Sequence, residues 1–238
     1  VVRRALSNRV NPLDNPITLF DSDNLKEIRC YLGNTAQINC LLQMGKNLIS
    51  GDHDGTLRVW DLDQEASSAF ARADCTLQFG CPIYSLLHLG GHYVVSFGHN
   101  CAIWDIEKGE NVTKKIGSQF SLVSCDGANN TYGGKATISR KGERDFSLEN
   151  LLEKISNIPK LQTVIPFNRD HLLAVYDKHE SGFAEPMHAA IRVWNIHDGR
   201  MVSEQIVEKQ SIASIIAADN KIIYGTTTGL MIKHVPQA

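Results

Sequence analysis

Four oxygen-bearing side chains stand at short intervals in the best-defined stretch of the chain: Ser50, Asp52, Asp54 and Asp61. Alternating hydroxyl and carboxylate oxygens around a glycine are the ligand pattern of a calcium loop. The pattern fails at its end, because Trp60 occupies the penultimate position and the closing residue is an aspartate rather than the longer, bidentate glutamate. The flanking runs are strand-like, so we expect these residues to build a turn and not a metal site.

Histidine and cysteine are the other residue types that could carry chemistry here. The nine histidines follow no ligand spacing, and no H-E-x-x-H motif is present. Neither a G-x-S-x-G nucleophile motif nor a glycine-rich phosphate loop occurs, and the six cysteines form no C-x-x-C pair. We therefore predict no catalytic residue, no metal and no cofactor, and we expect a protein that is not an enzyme.

The elements that position these residues recur along the chain. Two apolar runs flank an Asp-His-Asp-Gly turn in Leu48–Asp61, which predicts a β-hairpin. Phe20, Trp60, Trp104 and Trp194 close comparable strands at intervals of 40, 44 and 90 residues, the last being two steps of 45. Repeats of about 40 to 45 residues with four short strands each are typical of a β-propeller.

Internal alignment supports the repeats. Ile38–Gly45 matches Ile83–Gly90 position for position, and Leu48–Gly51 recurs as Val94–Phe97. A later copy runs from Thr163 to Asn195, and a last one ends near His234, which takes the slot of the closing tryptophan.

The hairpin resembles the signature half of a repeat of the WD-repeat (WD40) family. That resemblance implies a structural tetrad in which the Ser50 hydroxyl, the Asp54 carboxylate and the Trp60 indole join a histidine from the preceding loop. The histidine position reads Gly33-Asn34 here, so we expect an incomplete tetrad. By the internal alignment Ser96, Trp104 and Trp194 occupy tetrad-like positions in other repeats.

The expected fold is all-β, a β-propeller of WD-repeat type with five to six blade-like units, either self-contained or incomplete and open. Seven blades would need about 300 residues at about 42 each, more than the 238 present. We predict a single propeller domain over 1–238. Its segments are a polar N-terminal stretch 1–16, a partial blade 17–32, blades 33–79, 80–118, 119–160 and 161–208, and a last blade 209–238 whose own repeat lacks an outer strand.

The unit at 119–160 is irregular. Leu148, Leu151, Leu152, Ile155 and Ile158 recur at intervals of three and four, which favours a short amphipathic helix within 145–158 over a strand that the spacing alone would place there.

The resemblance implies a non-catalytic protein–protein interaction scaffold of an intracellular multiprotein complex that binds proteins or peptides through propeller faces and loops. An alternative is a target-recruiting propeller, of ubiquitin-ligase receptor or effector type, that uses the 177–188 loop and the 145–158 insertion. A propeller enzyme is a third hypothesis that no visible acid–base pair supports. The residues that we expect to contact partners are Gln37, His53, His99, Asn100, Phe183 and Met187.

Composition narrows the partners further. The formal net charge is −2 and no basic run is present, so nucleic acid is unsupported as a partner. No apolar run has membrane length and no secretory signal is present, which predicts an intracellular protein, cytoplasmic or nuclear, with no membrane contact. Another chain completing the propeller is a further candidate partner.

Overall fold

The computed structural model of the chain describes residues 2–3, 15–63, 70–71, 73, 75–116, 120–125, 136–140, 148–158, 161–178, 188–208, 210–218, 221–226 and 228–234. The chain divides into an N-terminal unit, Val1–Ile83, and a C-terminal unit, Tyr84–Ala238. Nearly all regular structure in the described part is β-strand.

The N-terminal unit is built from two four-stranded sheets. Their strand orders are β1-β2-β3-β7 and β4-β5-β6-β8. Neighbouring strands are antiparallel except β7, which runs parallel to β3. The strands are β1 (Val2–Arg3), β2 (Ile17–Phe20), β3 (Glu27–Tyr31), β4 (Ile38–Met44), β5 (Asn47–Asp52), β6 (Thr56–Asp61), β7 (Phe70–Ala71) and β8 (Cys75–Gln78).

The predicted hairpin is β5–β6. Its register sets Leu48 opposite Trp60 and Ser50 opposite Arg58, so these four side chains share one face of the sheet. The turn ends at Gly55, whose φ of +76° suits a residue without a Cβ.

That face of the hairpin forms the core of the N-terminal unit. Leu48 and Trp60 pack with Ile17 and Tyr31 from the first sheet. The rings of Tyr31 and Trp60 meet edge to face, with their centroids 5.8 Å apart. Trp60 therefore joins the two sheets of this unit as a buried aromatic anchor.

The C-terminal unit contains four sheets. Their strand orders are β9-β10-β11-β12, β13-β14, β15-β16-β17-β18 and β19-β20-β21. The elements are β9 (Ser85–Gly90), β10 (Tyr93–Phe97), β11 (Cys101–Asp105), β12 (Glu110–Asn111), α1 (Thr113–Ile116), β13 (Phe120–Cys125), β14 (Ala136–Arg140), α2 (Leu148–Ser156), β15 (Leu161–Asn168), β16 (His171–Lys178), β17 (His188–Asn195), β18 (Met201–Val207), β19 (Ile212–Ala218), β20 (Lys221–Thr226) and β21 (Gly229–His234).

The helix predicted within 145–158 is confirmed as α2. Its Leu151, Leu152 and Ile155 are fully buried and join the main core of the unit. The Tyr176 hydroxyl donates to the backbone carbonyl of Ile155 at 3.2 Å, and the Lys154 ammonium donates to the carbonyl of Gly199 at 3.3 Å. The periodic apolar face of α2 is thus part of the folded core.

The sheets β9–β12, β15–β18 and β19–β21 of the C-terminal unit contribute to two apolar cores. One core draws on β9, β10, β11, α2 and the β15–β17 strands, and a second fills the space between the β15–β18 sheet and β19–β20. At the joint between β9 and β15 the backbone N–H of Val164 donates to the Ser85 hydroxyl at 3.0 Å.

The register of the last sheet corrects the sequence alignment that placed His234 in the slot of the closing tryptophan. Leu48, Val94 and Leu172 lie opposite Trp60, Trp104 and Trp194, and Ile222 is the matching residue of β20. Ile222 lies opposite Lys233. The tryptophan slot is therefore occupied by Lys233 and not by His234, because the register of this hairpin is one residue shorter than the alignment assumed.

Candidate protein-interaction surfaces

A buried hydrogen-bond network braces the β5–β6 hairpin. The Trp60 indole N–H donates to the Ser50 hydroxyl at 3.0 Å, and that hydroxyl donates to Asn34 Oδ1 at 3.3 Å. Ser50, Asn34 and Trp60 are all fully buried. Asn34 thus occupies the place in which the family resemblance implies a histidine, and it supplies the acceptor that the serine needs.

The carboxylate of this network is Asp52, whereas Asp54 was predicted. Asp52 Oδ2 lies 2.6 Å from Arg58 Nη1, and its side chain is 0% exposed against 10% for Arg58. Asp52 Oδ1 accepts the backbone N–H groups of Asp54 and Thr56 at 3.1 and 2.8 Å. Asp54 itself is exposed in the turn and contributes only its backbone to these bonds.

Strand periodicity could have identified the carboxylate. Asp52 follows Ser50 by two residues on the same strand, so both side chains point to one face, whereas Asp54 lies beyond the strand end. Arg58 on the facing strand was the second clue, because a buried arginine needs an acidic partner.

The same indole bond recurs in the β9–β12 sheet and is altered in the β15–β18 sheet. Trp104 donates to the Ser96 hydroxyl at 2.8 Å. The matching position opposite Arg192 is Ala174, which has no hydroxyl to receive a bond from Trp194. The Arg192 guanidinium lies 5.0 Å from the centre of the Tyr176 ring and its Nε donates to Glu204 at 2.7 Å.

Gln37 and His53 lie together at the turn end of the second sheet. The backbone N–H of His53 donates to the carbonyl of Gln37 at 2.8 Å, and both side chains are exposed. Directly beneath them the Asp52 carbonyl accepts the N–H groups of Gly55 and Ile83 at 3.2 and 3.0 Å. These exposed side chains stand on a turn whose backbone is held in place, as a preformed binding surface requires.

His99 and Asn100 occupy the corresponding turn of the third sheet. Both are exposed, and the N–H of Gly98 donates to the carbonyl of Asn100 at 2.8 Å. The His99 ring meets Tyr84 edge-on, with centroids 6.0 Å apart. Tyr84 is half-buried and adds an aromatic ring to this turn that the sequence did not single out.

The opposite end of the third sheet carries a charged cluster that the sequence analysis did not find. The buried Asp105 carboxylate lies 3.2 Å from Lys108 Nζ and 3.4 Å from His92 Nε2, and it accepts the Lys108 backbone N–H at 3.1 Å. Burial alone would raise the pKa of Asp105, but the hydrogen bonds from Lys108 and the charges of His92 and Lys108 outweigh it and lower that pKa. The cluster ties the β9–β10 turn to the end of β11.

Two of the residues predicted to contact partners, Phe183 and Met187, lie outside the described residues, as does most of the 177–188 loop. In the described part of the 145–158 insertion, Leu151, Leu152 and Ile155 of α2 are buried, so these side chains are not available to a partner in the folded chain. Within the described ranges no group of three or more His, Cys, Asp or Glu could hold a metal ion, and no helix is long and apolar enough to cross a membrane.

One segment of the chain matches a known family, and most of the chain aligns with one curated protein. Residues 25–61 match the model of the WD domain, G-beta repeat family. The chain is 24% identical over 200 residues to mitochondrial division protein 1 of Kluyveromyces lactis, an alignment that covers 80% of this chain and 24% of that protein. The chain thus spans about a quarter of the length of the curated relative that it matches.

Solved structures show the same fold at low sequence identity. The computationally designed Ika8 protein has a TM-score of 0.55 at 16% identity, with 94% of this chain and 66% of that chain covered. The β-propeller domain of Cps50 (Swd1) from Myceliophteria thermophila has a TM-score of 0.54 at 15% identity, with 95% and 62% covered. A chain of the mitotic checkpoint complex has a TM-score of 0.50 at 17% identity, with 93% and 55% covered.

The predicted recognition and fold class are therefore confirmed. Residues 25–61 match a WD repeat, and the chain has an all-β fold similar to that of solved β-propellers.

Proposed function

We propose that the chain is a non-catalytic scaffold that binds other proteins or peptides inside the cell through its exposed turns. The WD-repeat fold and its relatives support a protein-interaction role in general. The observation that carries the proposal is the exposed pair Gln37 and His53, held on a turn that is anchored by the buried Asp52.

The turn that carries Gln37 and His53 is rigid, and this rigidity favours binding. Asp52 receives two backbone N–H groups through its side chain and two through its carbonyl, and its carboxylate is paired with Arg58. A turn fixed in this way loses little conformational entropy when a partner binds. The exposed side chains of His53 and Gln37 can then offer hydrogen bonds in a constant geometry.

The relatives point to assemblies of several proteins. One similar chain belongs to a structure of the mitotic checkpoint complex, and the curated relative is named for mitochondrial division. We propose membership of an intracellular multiprotein complex by analogy with these proteins. The pathway of this chain does not follow from them, because the identities lie below 25%.

The experiment compares the two ends of the same sheets. His53→Ala and His99→Ala change the turn ends that we propose as binding surfaces, and Lys46→Ala and Glu107→Ala change exposed side chains at the opposite ends. The tagged variants are expressed in cells and their partners are quantified by mass spectrometry. We expect the histidine variants to lose at least one partner that both control variants keep, with unchanged thermal stability. Equal partner sets in all four variants would refute the proposed surfaces.

A further inference from the structure

The strand β18, at the outer edge of the β15–β18 sheet, is longer than the outer strands of the other four-stranded sheets. It spans seven residues, whereas β7 and β12 span two each and β8 spans four. It contains neither proline nor lysine, which commonly protect a sheet edge from pairing with another chain. Its pairing with β17 is regular from Ser203 to Val207, and within the described ranges β18 pairs with β17 alone. The outer row of backbone N–H and C=O groups in this regular part is therefore open to an added strand.

The position of β18 is set by neighbours within the C-terminal unit. On one face of the sheet, Trp194 of β17 belongs to the core that includes α2 and β9–β11. On the other face, Val207 of β18 belongs to the core that includes β19 and β20, and the Gln205 side-chain amide donates to the Tyr224 hydroxyl at 3.1 Å. A further sheet, β19–β21, follows β18 along the chain. Both faces of the β15–β18 sheet are thus packed inside one unit, and its outer edge is what remains exposed.

The exposed side chains of β18 form an alternating pattern beside this edge. Val202, Glu204 and Ile206 are exposed, whereas the residues between them are partly buried. Val202 and Ile206 are each 39% exposed, which is high for large apolar side chains on a strand. The Glu204 carboxylate is held in place by Arg192, whose Nε donates to it at 2.7 Å. Because alternate residues share one face, the strand presents an apolar, an acidic and an apolar side chain in a row.

A second copy of β18 is a poor occupant of this edge. In a symmetric antiparallel pair, the register that sets Val202 against Ile206 of the other copy also sets Glu204 against Glu204. Like charges directly opposite each other are destabilising in a sheet. A basic residue at the central position would remove this repulsion and would be attracted to Glu204 instead. β18 itself has no basic residue and is followed by the exposed Glu208, which adds to the preference for a cationic segment.

We propose that β18 binds an extended segment of a partner protein as a fifth strand of its sheet, and that this segment carries a basic residue between two apolar residues in alternate positions. Backbone hydrogen bonds along the edge supply affinity, and the alternating side chains supply specificity. This inference rests on the proposed role in protein binding and assigns it a second surface. The pattern of β18 reads the same in both directions, so it accepts a segment of this kind in either orientation.

The first test uses a fluorescein-labelled peptide, Ser-Val-Thr-Lys-Thr-Val-Ser, whose binding to the full chain is measured by anisotropy. We expect saturable binding, and about tenfold weaker binding when glutamate replaces the central lysine. Two further peptides carry an N-methyl group, one on the backbone nitrogen of the lysine and one on that of the preceding threonine. Because successive N–H groups of a strand point to opposite sides, only one of the two methyl groups faces β18. We expect one methylated peptide to bind about tenfold more weakly and the other to bind within about twofold of the parent.

The second test changes the protein. Ile206→Lys removes an apolar contact and places a charge of the same sign as the peptide lysine on β18, and we expect about tenfold weaker binding. Ile28→Lys is the matched control, because it makes the same substitution at an exposed isoleucine on another strand, β3. Binding by this control should stay within about twofold of the wild type. Both substitutions are at exposed positions, so both variants should keep the melting temperature of the wild type.

Four results would overturn the proposal. The first is the absence of saturable binding up to about 1 mM peptide, or equal binding by Ile206→Lys and Ile28→Lys. The second is equal binding by the two methylated peptides, which would mean that the peptide does not bind as a strand. The third is protection of every β18 amide from hydrogen exchange in the free chain, since an edge strand protects only alternate amides and full protection means that the chain covers its own edge. The fourth is a dimer in light scattering that Ile206→Lys dissociates, which would make a second copy the occupant. The His53 and His99 variants report on other surfaces, so the two proposals fail independently.

Discussion

The Arg58 guanidinium lies 2.6 Å from the Asp52 carboxylate, and both side chains are buried at the turn end of the β5–β6 hairpin. The pair joins the two strands of the hairpin on the face that carries Ser50 and Trp60. A buried ion pair of this kind holds a unique geometry, because an unpaired charge in the same place is strongly unfavourable. The exposed turn that we propose as a binding surface depends on it.

Removing one partner of the pair should destabilise the N-terminal unit. We expect Asp52→Ala to lower the free energy of unfolding by about 3 to 5 kcal/mol, since it leaves the Arg58 charge buried and two backbone N–H groups without their acceptor. Asp54→Ala is the matched control in the same turn and should change the free energy by less than about 1 kcal/mol. Urea unfolding followed by tryptophan fluorescence measures both. Equal effects of the two variants would contradict the assignment of Asp52.

The bond between Trp104 and Ser96 should show coupling in a double-mutant cycle. Ser96→Ala leaves the buried indole N–H without its acceptor, and we expect a loss of about 1 to 3 kcal/mol. In a Trp104→Phe background no donor remains, so Ser96→Ala should cost measurably less. Additive losses in the cycle, determined by denaturant unfolding, would show that this hydrogen bond does not contribute.

Much of the architecture could be predicted because it rests on repetition. The spacing of Trp60, Trp104 and Trp194 and the internal alignment predicted the repetition of sheets, and the strands of each sheet lie within one predicted segment except in the first sheet. There β1 lies in the N-terminal stretch 1–16, and the parallel strand β7 lies in the following blade segment. That strand comes from a stretch after Asp63 and pairs with β3 in the preceding segment. No local pattern could predict it, because a two-residue parallel pairing depends on tertiary proximity alone.

The hydrogen-bond network that braces the β5–β6 hairpin was harder to predict, because the positions of the side chains in space decide which residues take part. Asp52 and Asp54 are the same residue type two positions apart, and only the end of β5 decides which one is buried. Asn34 was noted as a departure from the family pattern, but its role as acceptor depends on its distance from Ser50. The Lys233 register likewise depends on the length of the β20–β21 hairpin, which the alignment could not measure.

A side chain at Gly55 should destabilise the fold through a steric clash, and Gly45 serves as the matched control because it has no such clash. A Cβ at Gly55 would collide with the backbone of Cys81, whereas a Cβ at Gly45 would meet nothing within 4 Å. Both glycines have positive φ, +76° and +57°, so alanine carries a similar backbone penalty of about 1 to 2 kcal/mol at each. We therefore expect Gly55→Ala to lower the melting temperature clearly more than Gly45→Ala, and equal shifts would argue against the contact with Cys81.

Asp105 should make the stability of the C-terminal unit depend on pH in the acid range. Its pKa in the folded chain is lowered, because the hydrogen bonds from Lys108 and the charge of His92 outweigh the effect of burial. The unfolded chain has an ordinary aspartate pKa of about 3.9 and takes up the proton first as the pH falls. The stabilisation from Asp105 is therefore complete above that pH and is lost progressively as the pH falls through the folded-state pKa.

Unfolding in urea at pH 6, 5, 4 and 3 should show that the difference in unfolding free energy between the wild type and Asp105→Asn closes towards pH 3. Glu107→Gln, which changes an exposed neighbour, should show a much smaller change in its gap. A gap for Asp105→Asn that stays constant from pH 6 to pH 3 would show that the carboxylate charge does not stabilise this end of the sheet.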